Sequence, residues 1–470
     1  MHPFSKSRVA ALCMPLLSIV APAAAKAQAT PQVKISYVQD SLPNGLHVIY
    51  SIDHSTPVVA VEVMYNVGSK SEQPGKTGFA HLFEHMMFKG SRNVADGQHW
   101  SLLEKAGGRA GSDINGTTSW DRTNYFEQVP SNQLDLALWL EADRMGTLVE
   151  TLTQAKLDNQ REVVKNERRQ SFDNQPYGSW LEKALTYVYP DNHPYHHSVI
   201  GSMTDLTNAS VDDVKSFFKT YYAPNNAVLV IAGDVDLAEA KALVRKRFSW
   251  IPRGPSVPPR PNMAVGPVIG AERREMVQDR NASAPAVYVA YRVPPARATD
   301  GPAVDLLTDI LAGGSASPLY KSLVRDKQAA VAVQSFNLGL PDGADMLTFV
   351  AIGKPGTNPD SLEHALITEL DKASTLVDQA SLDRSRAGSR YQFVNGLQST
   401  GGFGGRADQL AEGFTYYRDP NHVNKVLAAY DAVTLPQLRR LVASRIIPTN
   451  RVRLVFVPAP KPATTSGGTR

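Results

Sequence analysis

The sequence predicts an α+β protein built from two similar α/β domains joined by a proline-rich linker. Three observations carry that expectation. The chain has 470 residues, more than one ordinary hydrophobic core accommodates. Pro252, Pro255, Pro258, Pro259 and Pro261 crowd one short stretch, the composition of a connector. Beyond that stretch the pattern of the first half returns weakly: Ala286–Val293 parallels the valine-rich run at 59–67, and residues 301–308 parallel 78–85. The expected boundaries are a leader at 1–27, a first domain at 33–250, a linker at 251–268, a second domain at 269–458 and a flexible tail at 459–470.

The leader has the parts of a secretory signal. Lys6 and Arg8 supply a positive start, residues 9–20 are almost wholly apolar, and small residues around Ala25 and Ala27 offer cleavage sites. The apolar run falls short of the ~20 residues that span a bilayer, and no other stretch is apolar enough, so no membrane span is expected in the mature chain. A periplasmic or secreted location follows. Losing Lys6 and Arg8 takes the formal charge from +4 to +2, too small a balance to suggest nucleic acid. Cys13, the sole cysteine, lies in the leader, which removes thiol nucleophiles and cysteine metal sites from the mature chain.

Along the first domain, 44–50 and 58–67 read as strands by alternation and β-branched content. Helices are expected at 100–107, ended by Gly107 and Gly108, and at 132–148, where leucines recur with helical spacing. Between them 112–129 reads as a hairpin. A further helix starts near Thr153, and 227–232 is a buried strand. The histidine-dense loop at 190–197 reads as scaffold rather than a second metal site.

The chemistry concentrates in 78–88, Gly-Phe-Ala-His-Leu-Phe-Glu-His-Met-Met-Phe. Residues four apart share one face of a helix, so His81 and His85 can aim at one ion, and Glu84 stands close enough to reach a water on it. The bland alternative is an amphipathic core helix with satisfied histidines. The H-x-x-E-H pattern is that of the inverzincins. With its flanks, Asn66-Val67-Gly68-Ser69-Lys70-Ser71-Glu72, Gly75-Lys76-Thr77-Gly78 and Phe88-Lys89-Gly90-Ser91, the stretch resembles the pitrilysin/insulinase family of zinc peptidases.

That resemblance implies two domains per chain, each a mainly antiparallel sheet packed with helices, and one Zn2+ held by His81, His85 and a distant glutamate. Glu162 and Glu167 compete for the third place, 77 and 82 residues beyond His85. Family register through Arg161-Glu162-Val163 selects Glu167. Gln160 stands where the family has a supporting acid. Glu84 is expected as the general base of peptide hydrolysis. The segment around Asn115, Gly116 and Thr117 resembles an edge strand to which peptide substrate adds as a further strand.

The glycine-rich stretch 311–320 precedes a helix expected to carry an arginine and, seven residues on, a tyrosine that contact substrate. Arg325 matches the arginine, but Ala332 stands at the tyrosine position. The resemblance therefore implies a partner, a homologous metal-free subunit in a heterodimer, with a homodimer as runner-up, enclosing peptides or unfolded polypeptides. A non-catalytic, chaperone-like subunit is the rival reading. In the repeat alignment His81, Glu84 and His85 become Val304, Leu307 and Thr308, so the second domain is expected to bind no metal.

Overall fold

A computed structural model describes residues 33–460; the expected leader and residues 461–470 of the expected tail lie outside them. Two sheets organise the described chain. The first contains β1 (Val38–Ser41), β2 (His47–Ile52), β3 (Val58–Tyr65), β4 (Ile114–Thr118), β5 (Thr123–Pro130) and β6 (Ala227–Gly233) in the order β1-β2-β6-β3-β5-β4. The second contains β7 (Arg273–Asp279), β8 (Ala286–Val293), β9 (Ala332–Asn337), β10 (Asp345–Ile352) and β11 (Arg451–Pro458) in the order β7-β11-β8-β10-β9.

Leaving out β1, the two sheets have one topology. β2 pairs parallel with β6 as β7 does with β11, and every other neighbouring pair is antiparallel. The weak sequence repeat is thus a structural one, with β8 answering β3 and the helix Gly301–Ala312 answering Phe79–Met86. The register differs by one residue from the expected alignment. In the second half Val304 and Leu307 are core, whereas Asp305 and Thr308 lie toward β9: Asn337 Nδ2 donates to Asp305 Oδ1 at 2.9 Å and Ser335 Oγ to the Thr308 carbonyl at 2.7 Å. Asp305, Thr308 and Asp309 thereby occupy the places of His81, Glu84 and His85. Burial sets the register: Ala303, Val304, Leu306, Leu307 and Ile310 repeat the buried pattern of Phe79, Ala80, Leu82, Phe83 and Met86.

Each sheet packs one face on helices of its own half. Phe79–Met86 and Leu134–Thr151 close the first core, and Gly301–Ala312 and Leu435–Arg445 help close the second. The opposite faces are covered by exchange. Trp180–Val188, from the first half, buries Ala184, Leu185 and Val188 with Ala286, Met346 and Phe456 of the second sheet. Arg406–Tyr417, from the second half, packs across β6 and β3, with Phe414 stacked on His47 at 3.9 Å. Residues 252–266 run between the halves without regular structure, as the prolines require. No described helix is long and apolar enough to cross a membrane.

Candidate metal centre

The helix Phe79–Met86 starts at Gly78, whose φ of 88° places it in the left-handed region. Its unpaired first-turn N–H groups find a carboxylate. Glu72 Oε2 accepts from Gly78 N at 2.9 Å and Oε1 from Ala80 N at 2.7 Å, while His197 Nε2 lies 3.0 Å from Oε2. A negative group at a helix N-terminus satisfies both the orphan donors and the dipole. Thr77 is tied to Asp205 Oδ2 through its N–H at 2.9 Å and its hydroxyl at 2.6 Å. These contacts fix the helix before any metal is considered.

From this helix His81 and His85 project side by side, ring centroids 4.8 Å apart and planes at 75°. The helix Gln154–Arg168, capped by the Thr153 hydroxyl, packs against it and brings Glu167 to the pair. Glu167 Oε2 is 3.7 Å from His81 Nε2 and 3.4 Å from His85 Nε2. One donor atom from each of the three lies within 4.8 Å of the others. Glu162 points elsewhere, paired with Lys165 at 3.0 Å on the exposed side. Gln160 is buried, and its amide borders His85.

Two imidazoles and one carboxylate with room for a further ligand are the donors of a catalytic zinc site, and these residues fit that ion. His81 Nδ1 is buried with no hydrogen-bond partner among the described residues. Burial and the neighbouring His85 push His81 down to about 4, so it is neutral and free to donate a lone pair. Burial also pulls His85 down, but its bond to Glu167 and the charges of Glu84 and Glu167 win, and it is raised. The His85 bond holds Glu167 below the usual carboxylate range.

Glu84 is 8% exposed and faces β4. Thr118 Oγ1 donates to its Oε2 at 2.8 Å. Burial raises its pKa, against the pull of His85 and Thr118, which suits a group that takes and returns a proton. Asn115, Gly116 and Thr117 lie on β4, the free edge of the sheet. Gly116 N–H is held by Asn115 Oδ1 at 2.9 Å, a weak local bond that a peptide strand could displace. Arg325 sits apart in a π-helical turn, Lys321–Asp326, exposed and paired with Asp326 at 2.7 Å; among the described contacts it makes none with the cluster.

Two features were not read from the sequence. Thr118 orients Glu84, and Glu72 caps the motif helix; neither follows a local spacing rule, because both act through tertiary contacts. The loop histidines are structural, His193 against the Met263 carbonyl at 3.2 Å and His196 against the Tyr189 carbonyl at 3.0 Å. A second set of potential ligands, His99, Glu127 and Glu141, is fully buried. There the Arg144 guanidinium already pairs with Glu141, its Nε at 3.0 Å, and lies 4.4 Å from the Tyr125 ring centroid. Burial and the Glu141 charge hold Glu127 well above the usual carboxylate range, against the pull of Arg144, which supplies the cluster with a cation of its own.

Residues 47–201 match the family model described as Insulinase (Peptidase family M16), and residues 208–389 match the one described as Peptidase M16 inactive domain. The zinc protease PqqE of Helicobacter pylori is 33% identical over 378 residues, covering 79% of this chain and 83% of that protein. The crystal structure of a protease from Helicobacter pylori superposes with a TM-score of 0.82 at 29% identity, covering 90% of this chain and 100% of that one. The first half of the periplasmic protease PqqL from Escherichia coli shares the fold, TM-score 0.71 at 19% identity, covering 91% of this chain and 93% of that one.

Proposed function

The chain belongs to the insulinase family of peptidases, M16, and from that membership we propose that it is a zinc-dependent endopeptidase acting on peptides or unfolded polypeptides. The convergence of His81, His85 and Glu167, with Glu84 buried beside them, carries the reading.

His81, His85 and Glu167 would hold the zinc. When bound, the ion supplies a Lewis acid that acidifies water and stabilises negative charge on a carbonyl oxygen. The protein does the rest. β4 holds the peptide backbone in extended form through its free edge. Glu84, positioned by Thr118, takes the proton of the attacking water on a carboxylate oxygen and passes it to the departing amine nitrogen. Buried apolar surroundings around Glu84 keep its affinity for that proton high.

The site is completed by a second subunit of the same fold, which closes a chamber around the substrate. Two observations support this part. Ala332 lacks a phenol, and Arg325 stands away from the cluster. The match of the second half to a domain described as inactive agrees with the absence of a second His-containing triad there among the described residues. A periplasmic or secreted location accords with the charged-then-apolar segment at the start of the sequence.

The test is Glu84→Gln. It should retain one zinc per chain by metal analysis and lose peptide hydrolysis by about 10^2-fold or more, the scale of general acid–base catalysis. Undiminished hydrolysis would remove Glu84 as the proton acceptor, and absence of zinc from the unaltered protein would favour the non-catalytic reading.

A further inference from the structure

The free edge of the first sheet has two faces, and the metal centre uses only one. Gly116 and Thr118 face the motif helix: Thr118 bonds Glu84, and a Cβ on Gly116 would stand 3.2 Å from Glu84 Cγ. Side chains alternate along a strand. Asn115 and Thr117 therefore face the opposite side, as do their partners across the ladder, Phe126 and Asn124. A peptide added outside β4 must send every second side chain to that side.

The second half of the chain meets those side chains there. The loop Thr400-Gly401-Gly402-Phe403-Gly404-Gly405 comes from beyond the linker and lies over β5 and the start of β4. Gly401 N donates to Gln128 Oε1 at 3.0 Å, and a Cβ on Gly402 would lie 3.5 Å from the Ser112 carbonyl. Phe403 meets Phe126 edge to face, with centroids 5.1 Å apart at 84°. Phe126 sits directly across from Asn115, yet Phe403 remains 60% exposed. The open side of its ring lines a cavity with Asn337, Gln392 and Phe393 of the second half. Strands lie about 4.8 Å apart, so an added strand lies about one spacing beyond β4 and about two spacings from β5, on which Phe403 rests. Gly402 and Gly404 have φ of 79° and 68°, the left-handed region that glycine adopts without strain.

Two residues along the same row the surroundings change. Thr117 is bonded to Arg122, which faces Glu412 at 3.7 Å. The row carries the Phe126–Phe403 pair behind Asn115 and the Arg122–Glu412 pair behind Thr117.

We propose that Phe403 forms an apolar subsite for one peptide side chain on the face of β4 opposite the metal. This rests on the peptidase reading above. The subsite selects an aromatic or large aliphatic residue at one position of the bound strand, whereas the side chain two positions away meets the polar Arg122–Glu412 environment.

Binding separates this inference from catalysis. Fluorescently labelled decapeptides, each with one position set in turn to Gly, Leu or Phe, are titrated by anisotropy into zinc-loaded Glu84→Gln protein and into the same protein carrying Phe403→Ala or Phe403→Leu. One position should prefer Phe over Gly by about tenfold in Kd, the scale of an aromatic contact. Phe403→Ala should erase that preference, Phe403→Leu should keep part of it, and peptides with Gly there should bind all three proteins alike. Equal weakening of every peptide by Phe403→Ala, survival of the preference, or no peptide binding at all would overturn the subsite. If the unaltered protein cleaves nothing while the Phe403-dependent preference holds, the peptidase reading falls and the subsite stands.

Discussion

Gly116 shows how little space separates the edge strand from the proton-transfer group. A methyl group there would stand 3.1 Å from Tyr125 Cδ1 and 3.2 Å from both Glu84 Cγ and the Phe88 ring. Tyr125, Phe88 and Glu84 are all buried, so whichever gives way disturbs the packing of the others. Gly116→Ala should therefore push Glu84 by a few tenths of an ångström and lower kcat by up to about 10-fold, short of the roughly 10^2-fold cost of a 1 Å misplacement, with zinc content unchanged. Wild-type kcat in that variant would show that Glu84 does not depend on the fit. A second residue ties stability to pH. Asp345 is 1% exposed, and burial raises it to about 7 despite bonds from Met346 N, Asn337 Nδ2 and the Gly339 N–H. The folded state keeps this proton where the unfolded chain, with a value near 3.8, has released it. Stability from this group is therefore full below the unfolded value and declines as pH rises toward 7, by at most roughly 4 kcal/mol. Urea unfolding of wild type and Asp345→Asn from pH 4 to 8 checks it: the variant should show a flatter slope, and identical slopes would refute the assignment.

At the scale of elements, the motif helix depends on groups far from it in sequence. Glu72 serves two backbone donors and His197 at once. Glu72→Gln leaves one oxygen to accept and turns an amide toward the other donors. It should destabilise the protein by about 1–3 kcal/mol, the cost of unsatisfied buried groups, and weaken zinc binding about tenfold by loosening the helix that holds both histidines. Thermal unfolding and chelator competition measure the two effects; unchanged zinc affinity alongside a lowered Tm would make the cap purely structural. That dependence also explains what the sequence disclosed. The motif helix, β3, β5 and β6 were legible because their apolar runs are periodic and local. The approach of Glu167 was legible from family register alone, since its separation from His85 did not distinguish it from Glu162. β10, a buried apolar run, went unread because nothing in the resemblance pointed to it. β9 was not legible, since it is half-exposed with mixed polarity and defined by its pairing. The one-residue shift in the second half escaped for the same reason: Asp305 is recognised as the counterpart of His81 only when Asn337 is seen beside it.

At the scale of the molecule, the proline-rich stretch separates two cores, but a third cluster and the covers of both outer sheet faces are exchanged between the halves. The first sheet's outer face is sealed by Arg406–Tyr417 through Ala407, Leu410 and Ala411, and the second sheet's by Trp180–Val188. Ion pairs follow the same exchange: Arg406 binds Asp53, and Lys183 binds Glu275 at 2.6 Å. A sheet stripped of one covering helix exposes a contiguous apolar face, which soluble monomers avoid. Residues 33–250 produced alone would uncover β3 and β6, and residues 269–458 alone would uncover β8 and β10. Each half by itself should bind a hydrophobic dye and lack a cooperative thermal transition, whereas the two halves refolded together should recover one transition and the zinc stoichiometry of the intact chain. This exchange also bears on Phe403, since the loop that carries it is held over β5 by the helix that follows. A first half that unfolds cooperatively on its own, silent to the dye, would mean that the exchanged helix decorates the sheet instead of completing it.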